Sequence, residues 1–278
     1  MATSPTAAAA PSSLPRVRPA LEGSPETLLL PLYARALDAA ARHPILADPR
    51  ARAIVAAIDY DFSTVVRPGG GRVLVARARQ LDAWAAAFLA AHRNAVVLNL
   101  GCGLDSRYER LAPPPSVAWF DVDLPEVIAL RRRFFADTDA RRAVAASVDD
   151  PGWWAELPGG RPVLAVADGL LVYLEADTVR ALFHRLVVAF PHGRLVFDVL
   201  SPGALGLASR QAAQTIPLLR WTVDDLAEVD ALEPRLRRTA ALSALRVPFV
   251  GAGERFLWSL ASISPRLRRA IRLLRYEF

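Results

Sequence analysis

The sequence is poor in the residues that build disulfides and metal centres. Its 278 residues include one cysteine and four histidines, and none of its 34 basic residues is a lysine. A single cysteine excludes an intrachain disulfide and is typical of a reducing compartment, so we expect a cytoplasmic protein. Because the histidines show no ligand spacing, we also expect no metal. These residues are Cys102, His43, His92, His184 and His192.

Long hydrophobic runs are also absent. The hydrophobic content is 53%, but alanine inflates it, and no stretch offers the ~20 uninterrupted apolar residues of a spanning helix. The first 20 residues are rich in Ala, Pro and Ser and lack the charged start and apolar block of a secretory signal. We therefore expect no membrane partner, and we expect residues 1–22 to form a disordered tail with no structural role.

The positive charge comes from arginine alone, with a formal net charge of +6. The arginines are scattered apart from two clusters, which we interpret as solvated helix faces. Nucleic-acid binding would call for aromatic residues interleaved with a basic groove, and no such motif occurs, so we expect no nucleic-acid partner. The clusters are Arg235, Arg237 and Arg238, and Arg266, Arg268, Arg269, Arg272 and Arg275.

What the sequence does contain is a regular alternation of apolar strands and helices. Five apolar strands separated by helical segments predict a doubly wound α/β fold with a parallel sheet. We expect one domain over 23–278, with a helical cap at 23–92, a cofactor-binding core at 93–200 and a substrate-side region with a closing strand at 201–278. Strands are predicted near 96–100, 117–121, 143–148, 163–168, 195–200 and 271–278, and helices near 105–111, 125–134, 176–190 and 222–228.

The first strand ends in a glycine turn. Gly101, Cys102 and Gly103 follow the apolar run 96–100, and the missing side chains of the glycines let a ligand approach the backbone. Twenty residues after Gly103, a second apolar strand ends at Asp123, where a ribose diol would need a carboxylate acceptor. Together the two segments predict a site for an adenosine cofactor.

The residues after the turn favour a cofactor without phosphate. A dinucleotide fold has a third glycine where this chain has Ser106, and the charge of Asp105 would repel phosphate at that helix start. This disfavours a nicotinamide oxidoreductase. A carboxylate here suits the cationic sulfonium of S-adenosylmethionine. The alternative is that Asp105 and Ser106 only cap the helix, Ser106 forming a capping box with Glu109, and the two roles can coexist.

Four motifs in order give the sequence a family resemblance. They lie at residues 27–36 with 59–62, 99–107, 121–127 and 168–174. The chain resembles the leucine carboxyl methyltransferase superfamily and, within it, the bacterial TcmP-type O-methyltransferases of polyketide tailoring. The resemblance covers residues 24–200. It implies a seven-stranded class I methyltransferase fold of the Rossmann-like type, with S-adenosylmethionine as cofactor and S-adenosylhomocysteine as product.

The resemblance also implies roles for individual residues. Arg77, with Arg79 as the alternative, would bind the methionine carboxylate of the cofactor, since a guanidinium matches a carboxylate. Asp123 would bind the ribose. Asp168 stands where the family usually has glutamate and would contact the cofactor's amino group through a shorter side chain. The remaining expected cofactor contacts are Gly101, Cys102, Gly103, Asp105, Leu124, Ser147, Val148 and Asp149, the last three near adenine.

The expected activity is therefore methyl transfer to an oxygen of a small molecule in natural-product tailoring. The alternatives are a carboxyl methyltransferase that forms esters on a free acid or peptide terminus, and an S-adenosylmethionine-binding accessory protein without activity. A carboxylate acceptor needs no general base, whereas a phenol or alcohol is helped by one. The candidates for a catalytic residue are His43, Tyr173 and His184, with Asp168 a further candidate base.

Overall fold

The sheet of this protein has seven strands, five of them parallel. The computed structural model describes residues 16–19, 27–62, 71–205, 219–248 and 250–278. The strand order is β3-β2-β1-β4-β5-β7-β6, with β7 antiparallel to both of its neighbours. This confirms the predicted doubly wound, mostly parallel sheet. The strands are β1 (Val96–Leu100), β2 (Ala118–Asp123), β3 (Arg141–Ala145), β4 (Val163–Ala167), β5 (Gly193–Leu200), β6 (Arg237–Ser243) and β7 (Ile271–Glu277).

Helices cover both faces of this sheet. In chain order they are α1 (Leu29–Ala39), α2 (Pro49–Ala57), α3 (Arg72–Ala91), α4 (Arg107–Leu111), α5 (Pro125–Arg131), α6 (Ala176–Ala189), α7 (Pro202–Leu205), α8 (Leu226–Asp230), α9 (Ala252–Ala261) and α10 (Pro265–Ala270). In the described ranges, no helix combines the length and the apolar character needed to cross a membrane.

The two central strands, β1 and β4, are buried along their whole length. Their continuous apolar sequence follows from this position, because helices cover them on both sides. Trp84 and Phe88 of α3 pack in the core on one face, and Phe183 and Leu186 of α6 pack in the core on the other. The order places β1 and β4 at the point where the chain reverses direction across the sheet. Ligands bind at this crevice in doubly wound folds.

The N-terminal helices form a third apolar cluster, in which Leu32 of α1 and Ile54 of α2 pack with Phe134 after α5. Val17 takes part in this region. Its backbone N–H donates to Ala57 O at 2.8 Å, and its carbonyl accepts from the N–H of Asp59 at 2.8 Å. Our expectation that the tail has no structural role is therefore wrong at Val17. Residues 1–15 and 20–22 lie outside the described ranges.

Two predictions for the C-terminal region need correction. The helix expected at 222–228 is α8, which begins later because Asp225 caps it by accepting from the N–H of Ala227 at 3.0 Å. The arginine clusters are only partly on helices, because Arg237 and Arg238 lie on the edge strand β6 and Arg272 and Arg275 lie on β7. The closing strand expected at 271–278 is present as β7.

Candidate active site

A cavity of about 760 Å³ opens at the carboxyl ends of β1, β2, β4 and β5. Residues of α1 and α3 close one side of it, and residues near β7 close another. The strands converge here because the carboxyl ends of parallel strands share one edge of a sheet. Most of the predicted site residues line the cavity, namely Arg77, Gly101, Cys102, Gly103, Asp105, Asp123, Leu124, Ser147, Val148, Asp168 and Tyr173.

Four of the candidates named from the sequence do not line this cavity. His184 lies on the surface, where its Nδ1 is 2.9 Å from Glu233 Oε2 and 64% of its side chain is exposed. His43 is exposed in the loop between α1 and α2, and Asp149 is exposed after β3. Arg79 also lies outside the lining. The prediction that His43 or His184 acts as a base is therefore wrong, because neither histidine lines the cavity.

The glycine turn has a left-handed backbone at both glycines, but their surroundings differ. Gly101 has φ +60°, and a Cβ there would lie 2.8 Å from Cδ1 of Leu170. Gly103 has φ +48°, and the nearest atom to an added Cβ is Cβ of Leu28 at 3.4 Å. Glycine is thus required at position 101 because the side chain of Leu170 leaves no room for a Cβ. Burial raises the pKa of the Cys102 thiol between them well above its usual value, so this thiol is neutral.

Asp123 joins the ends of β1 and β2. Its Oδ2 accepts from the N–H of Gly103 at 2.7 Å, and its Oδ1 accepts from the N–H of Leu124 at 2.8 Å. Burial raises the pKa of Asp123, although both hydrogen bonds oppose this shift. A carboxylate has about four acceptor positions, so two backbone donors leave capacity for the two hydroxyls of a ribose.

The nearby Asp121 on the same strand is buried. It accepts from Asn99 and Trp119 and forms ion pairs with Arg131 at 2.9 Å and Arg141 at 2.8 Å. This carboxylate therefore stabilises the fold beside the cavity and takes no direct part in its lining.

Asp105 does not present a free charge to the cavity. Its carboxylate lies 2.6 Å from Arg110 and 3.1 Å from Arg107. Burial opposes ionisation, but these guanidinium groups hold the pKa of Asp105 well below its usual value. The capping interpretation is also wrong, because Ser106 makes no side-chain cap and its Oγ accepts from Arg110 at 3.0 Å. Asp105 is therefore a member of a buried set of ion pairs.

Two other carboxylates lie beside Arg77. Its Nε is 2.7 Å from Oδ1 of Asp168, and its Nη1 is 3.0 Å from Oδ2 of Asp198. Asp198 also accepts from the N–H of Gly169 at 2.6 Å. Burial raises the pKa of Asp198, with the charge of Asp168 adding to the effect, while Arg77 and Arg107 overcome burial and lower the pKa of Asp168. Sequence reasoning missed Asp198, although an isolated acid in the apolar run of β5 was a usable signal.

These ion pairs form one connected set that we call the Arg–Asp network. It joins α1, α3, the glycine turn and the ends of β4 and β5, all at the boundary between the helical cap and the sheet. Every member has less than about an eighth of its side chain exposed, so solvent screens these pairs weakly. Its members are Arg35, Arg77, Arg107, Arg110, Asp48, Asp82, Asp105, Asp168 and Asp198.

Most of the remaining lining is apolar, and its polar exceptions are Thr27, Asn99, Ser147, Tyr173 and Arg220. An apolar molecule would fit beside such walls, which also exclude water. The apolar lining comes from distant parts of the chain and includes Leu30, Pro31, Leu219, Leu245, Leu267 and Ile271.

Comparison with known proteins gives consistent matches. The family model for leucine carboxyl methyltransferase matches residues 29–187. The chain is 40% identical to the tetracenomycin polyketide synthesis O-methyltransferase TcmP of Streptomyces glaucescens, over 93% of this chain and 98% of that protein. It is 32% identical to an S-adenosyl-L-methionine-dependent methyltransferase of Gibberella zeae, over 81% of this chain and 84% of that protein.

A solved structure shares the fold. The chain superposes on a DUF574 family protein from Streptomyces avermitilis with a TM-score of 0.54 and 17% identity, over 88% of this chain and 96% of that one.

Proposed function

The chain belongs to the leucine carboxyl methyltransferase family, and we propose that it transfers a methyl group from S-adenosylmethionine to an oxygen of a small polyketide-like molecule. The observation that carries this proposal is the cavity in which the Gly101–Gly103 turn and the Asp123 carboxylate meet. The relatives from Streptomyces glaucescens and Gibberella zeae support both the reaction and the cofactor.

The donor and acceptor groups of the cavity fit this cofactor. Asp123 would bind the ribose with the acceptor capacity that its two backbone donors leave free. Asp168 and Asp198 would bind the amino group, and Arg77 between them would meet the carboxylate. Leu124 and Val148 supply apolar contacts for adenine, with Ser147 as a polar neighbour. When bound, S-adenosylmethionine would supply a methyl group that its sulfonium has already activated.

The protein's part in the reaction is then to orient the acceptor and exclude water. Orientation alone can supply about 7–11 kcal/mol of such a barrier. Among the described residues that line the cavity there is no histidine, and Tyr173 is the one of our three catalytic candidates that reaches it. We therefore propose an acceptor oxygen that is already anionic, such as a carboxylate or an acidic phenol, which needs no general base.

The remaining parts of the proposal concern organisation and location. We propose that residues 23–278 act as one unit, and the network contacts between Arg35 of the cap and Asp105 of the core support this. We also propose a cytoplasmic location, which the single cysteine supports.

Two aspartates of β2, Asp121 and Asp123, allow a matched test of the cofactor site. The substitution D123N should lower the affinity for S-adenosylhomocysteine by about tenfold to a hundredfold, because a charge-assisted hydrogen bond contributes roughly 1.5–3 kcal/mol. D121N should instead lower the free energy of unfolding by about 3–5 kcal/mol, because it leaves two buried arginines without their carboxylate. Titration calorimetry and urea unfolding measure the two effects.

Activity is tested by incubating the protein with methyl-labelled S-adenosylmethionine and a panel of aromatic acids and phenols. A labelled product that mild base hydrolyses is an ester and identifies a carboxylate acceptor, whereas a base-stable product is an ether. Cofactor binding without transfer to any acceptor would favour the accessory-protein alternative. Failure of the wild-type protein to bind S-adenosylhomocysteine would contradict the whole proposal.

A further inference from the structure

Arg220 lines the cavity but remains open to solvent. Its side chain is 60% exposed, and its Nη1 lies 2.7 Å from Oε1 of Glu175, whose side chain is 63% exposed. The backbone N–H groups of Arg220 and Trp221 both donate to Val172 O, at 2.8 and 3.2 Å. These bonds fix the chain beside Tyr173 while the guanidinium stays free to reorient. Arg220 is therefore a cation at the mouth of the cavity, held by one exposed partner.

The other cationic side chains that line the cavity in the described ranges are in a different situation. Arg35, Arg77 and Arg107 are at most 7% exposed, and each is within ion-pair distance of at least two aspartates of the Arg–Asp network. Releasing one of them would leave buried carboxylates without a partner, which is costly. An exposed pair such as Arg220–Glu175 contributes little and exchanges easily.

We propose that Arg220 is a specificity-determining residue that binds an anionic group of the acceptor at the cavity mouth, an inference that rests on the proposed function. Glu175 holds the guanidinium until the acceptor enters and its anion takes that place. A guanidinium binds a carboxylate through two parallel N–H donors, so the contact also orients the acceptor. The acceptor is then a largely apolar molecule that carries a carboxylate in addition to the oxygen that is methylated.

The two members of the pair should act in opposite directions on the same ligand. Removing the charge of Arg220 removes its attraction for the anionic group of the acceptor. Removing the charge of Glu175 removes both the carboxylate that competes for Arg220 and its repulsion of the anionic acceptor. Arg180 offers a matched control, because it is an exposed arginine with one exposed partner, Asp177 at 3.0 Å, and it does not line the cavity.

The experiment measures binding to the protein saturated with S-adenosylhomocysteine. The probes are 9,10-anthraquinone-2-carboxylate and the neutral 9,10-anthraquinone-2-carboxamide, with R220Q, E175Q and R180Q compared with wild type by calorimetry. R220Q should weaken carboxylate binding about threefold to tenfold, E175Q should strengthen it, and R180Q should leave it unchanged. Carboxamide binding should stay the same in all four proteins.

Each other outcome overturns the proposal. Equal loss of carboxylate and carboxamide in R220Q would assign Arg220 a packing role, and an equal effect of R180Q would indicate a general charge effect. If the wild-type protein binds S-adenosylhomocysteine but binds the carboxylate no more tightly than the carboxamide, Arg220 does not form an anion site. Loss of S-adenosylhomocysteine binding in the wild type is a separate failure, because it contradicts the proposed function itself.

Discussion

At the scale of single residues, Gly169 controls where the guanidinium of Arg77 lies. Gly169 has φ +71°, and a Cβ there would lie 2.9 Å from Nη2 and 3.3 Å from Nη1 of Arg77. Gly160 has the same φ of +71°, but a Cβ there would meet nothing within 4 Å. The two glycines therefore share a backbone conformation and differ in what surrounds them.

We expect G160A to cost about 1 kcal/mol of stability, because an L-residue is strained in this conformation, and to leave cofactor affinity unchanged. G169A should carry the same strain and, in addition, push Arg77 away from Asp168 and Asp198. Its affinity for S-adenosylhomocysteine should fall about tenfold. Titration calorimetry and urea unfolding of both variants measure this, and equal affinities in the two would show that the position of Arg77 does not matter.

Asp123 could be located from the residues alone because its partner is close in the chain, whereas Arg77 and Asp168, which pair across 91 residues, were named only from the family resemblance. Asp123 bonds to Gly103, 20 residues away, and both belong to one strand–helix–strand unit with a recognisable pattern. The role of Asp198 depends on Arg77, 121 residues away, and no local pattern reports that contact. Asp105 is a different case, because its nearest partners, Arg107 and Arg110, lie two and five residues after it, and the sequence reasoning did not pair them with it.

At the scale of elements, the helix α9 is held by few contacts. None of its residues is buried, and Phe256 and Leu257 are each 63% exposed. Trp258 is partly buried against the core, and Glu254 accepts from Nε and Nη2 of Arg72 at the start of α3, both at 2.7 Å. The next helix, α10, contributes Leu267 to the cavity lining, so the anchoring of α9 also bears on the acceptor side.

We expect E254Q to speed amide hydrogen exchange across Ala252–Ala261 by about fivefold, because a bidentate, partly exposed ion pair contributes about 1 kcal/mol. The free energy of global unfolding should change by less than about 0.5 kcal/mol, because α9 buries no residue. Exchange followed by mass spectrometry measures the local effect. D177N, which removes an exposed pair within α6, is the control and should leave α9 unchanged.

Elements with a strong apolar pattern were predicted well, and elements at the edge were not. The predicted bounds of β1 match the structure because all five residues are buried and apolar or nearly so. The edge strand β6 was missed because it begins with two exposed arginines and has a register shift between Arg238 and Ala240. Charged residues and irregular pairing are common on edge strands, where they oppose association with other chains, and they obscure the alternation that identifies a strand.

At the scale of the whole molecule, the Arg–Asp network connects the helical cap to the sheet. Arg35 of α1 contacts Asp48 and Asp105, while Arg110 of α4 contacts Asp82 of α3. Buried ion pairs contribute little net stability, but removing one partner is costly because the other charge stays buried. The cap and the core are therefore coupled through charge as well as through apolar packing.

Asp105 allows this coupling to be measured through its pH dependence. D105N should lower the free energy of unfolding at pH 7 by about 3–5 kcal/mol, because Arg35 of the cap and Arg107 and Arg110 of the core lose a buried partner. The pKa of Asp105 is lowered in the folded protein, so its contribution is complete above the ordinary value of 3.8 and is lost as the pH falls below it.

The difference in the free energy of unfolding between wild type and D105N should therefore be about 1 kcal/mol smaller at pH 3 than at pH 7. At pH 3 the carboxyl of the unfolded chain is mostly protonated. Urea unfolding of both proteins at pH 7 and pH 3 measures the gap, and D149N, at an exposed position, is the control. A gap that stays constant or widens on acidification would mean that Asp105 does not hold the cap and core together through its charge. A narrowing gap would link the stability of the cap to the ionisation of a residue that lines the cofactor cavity.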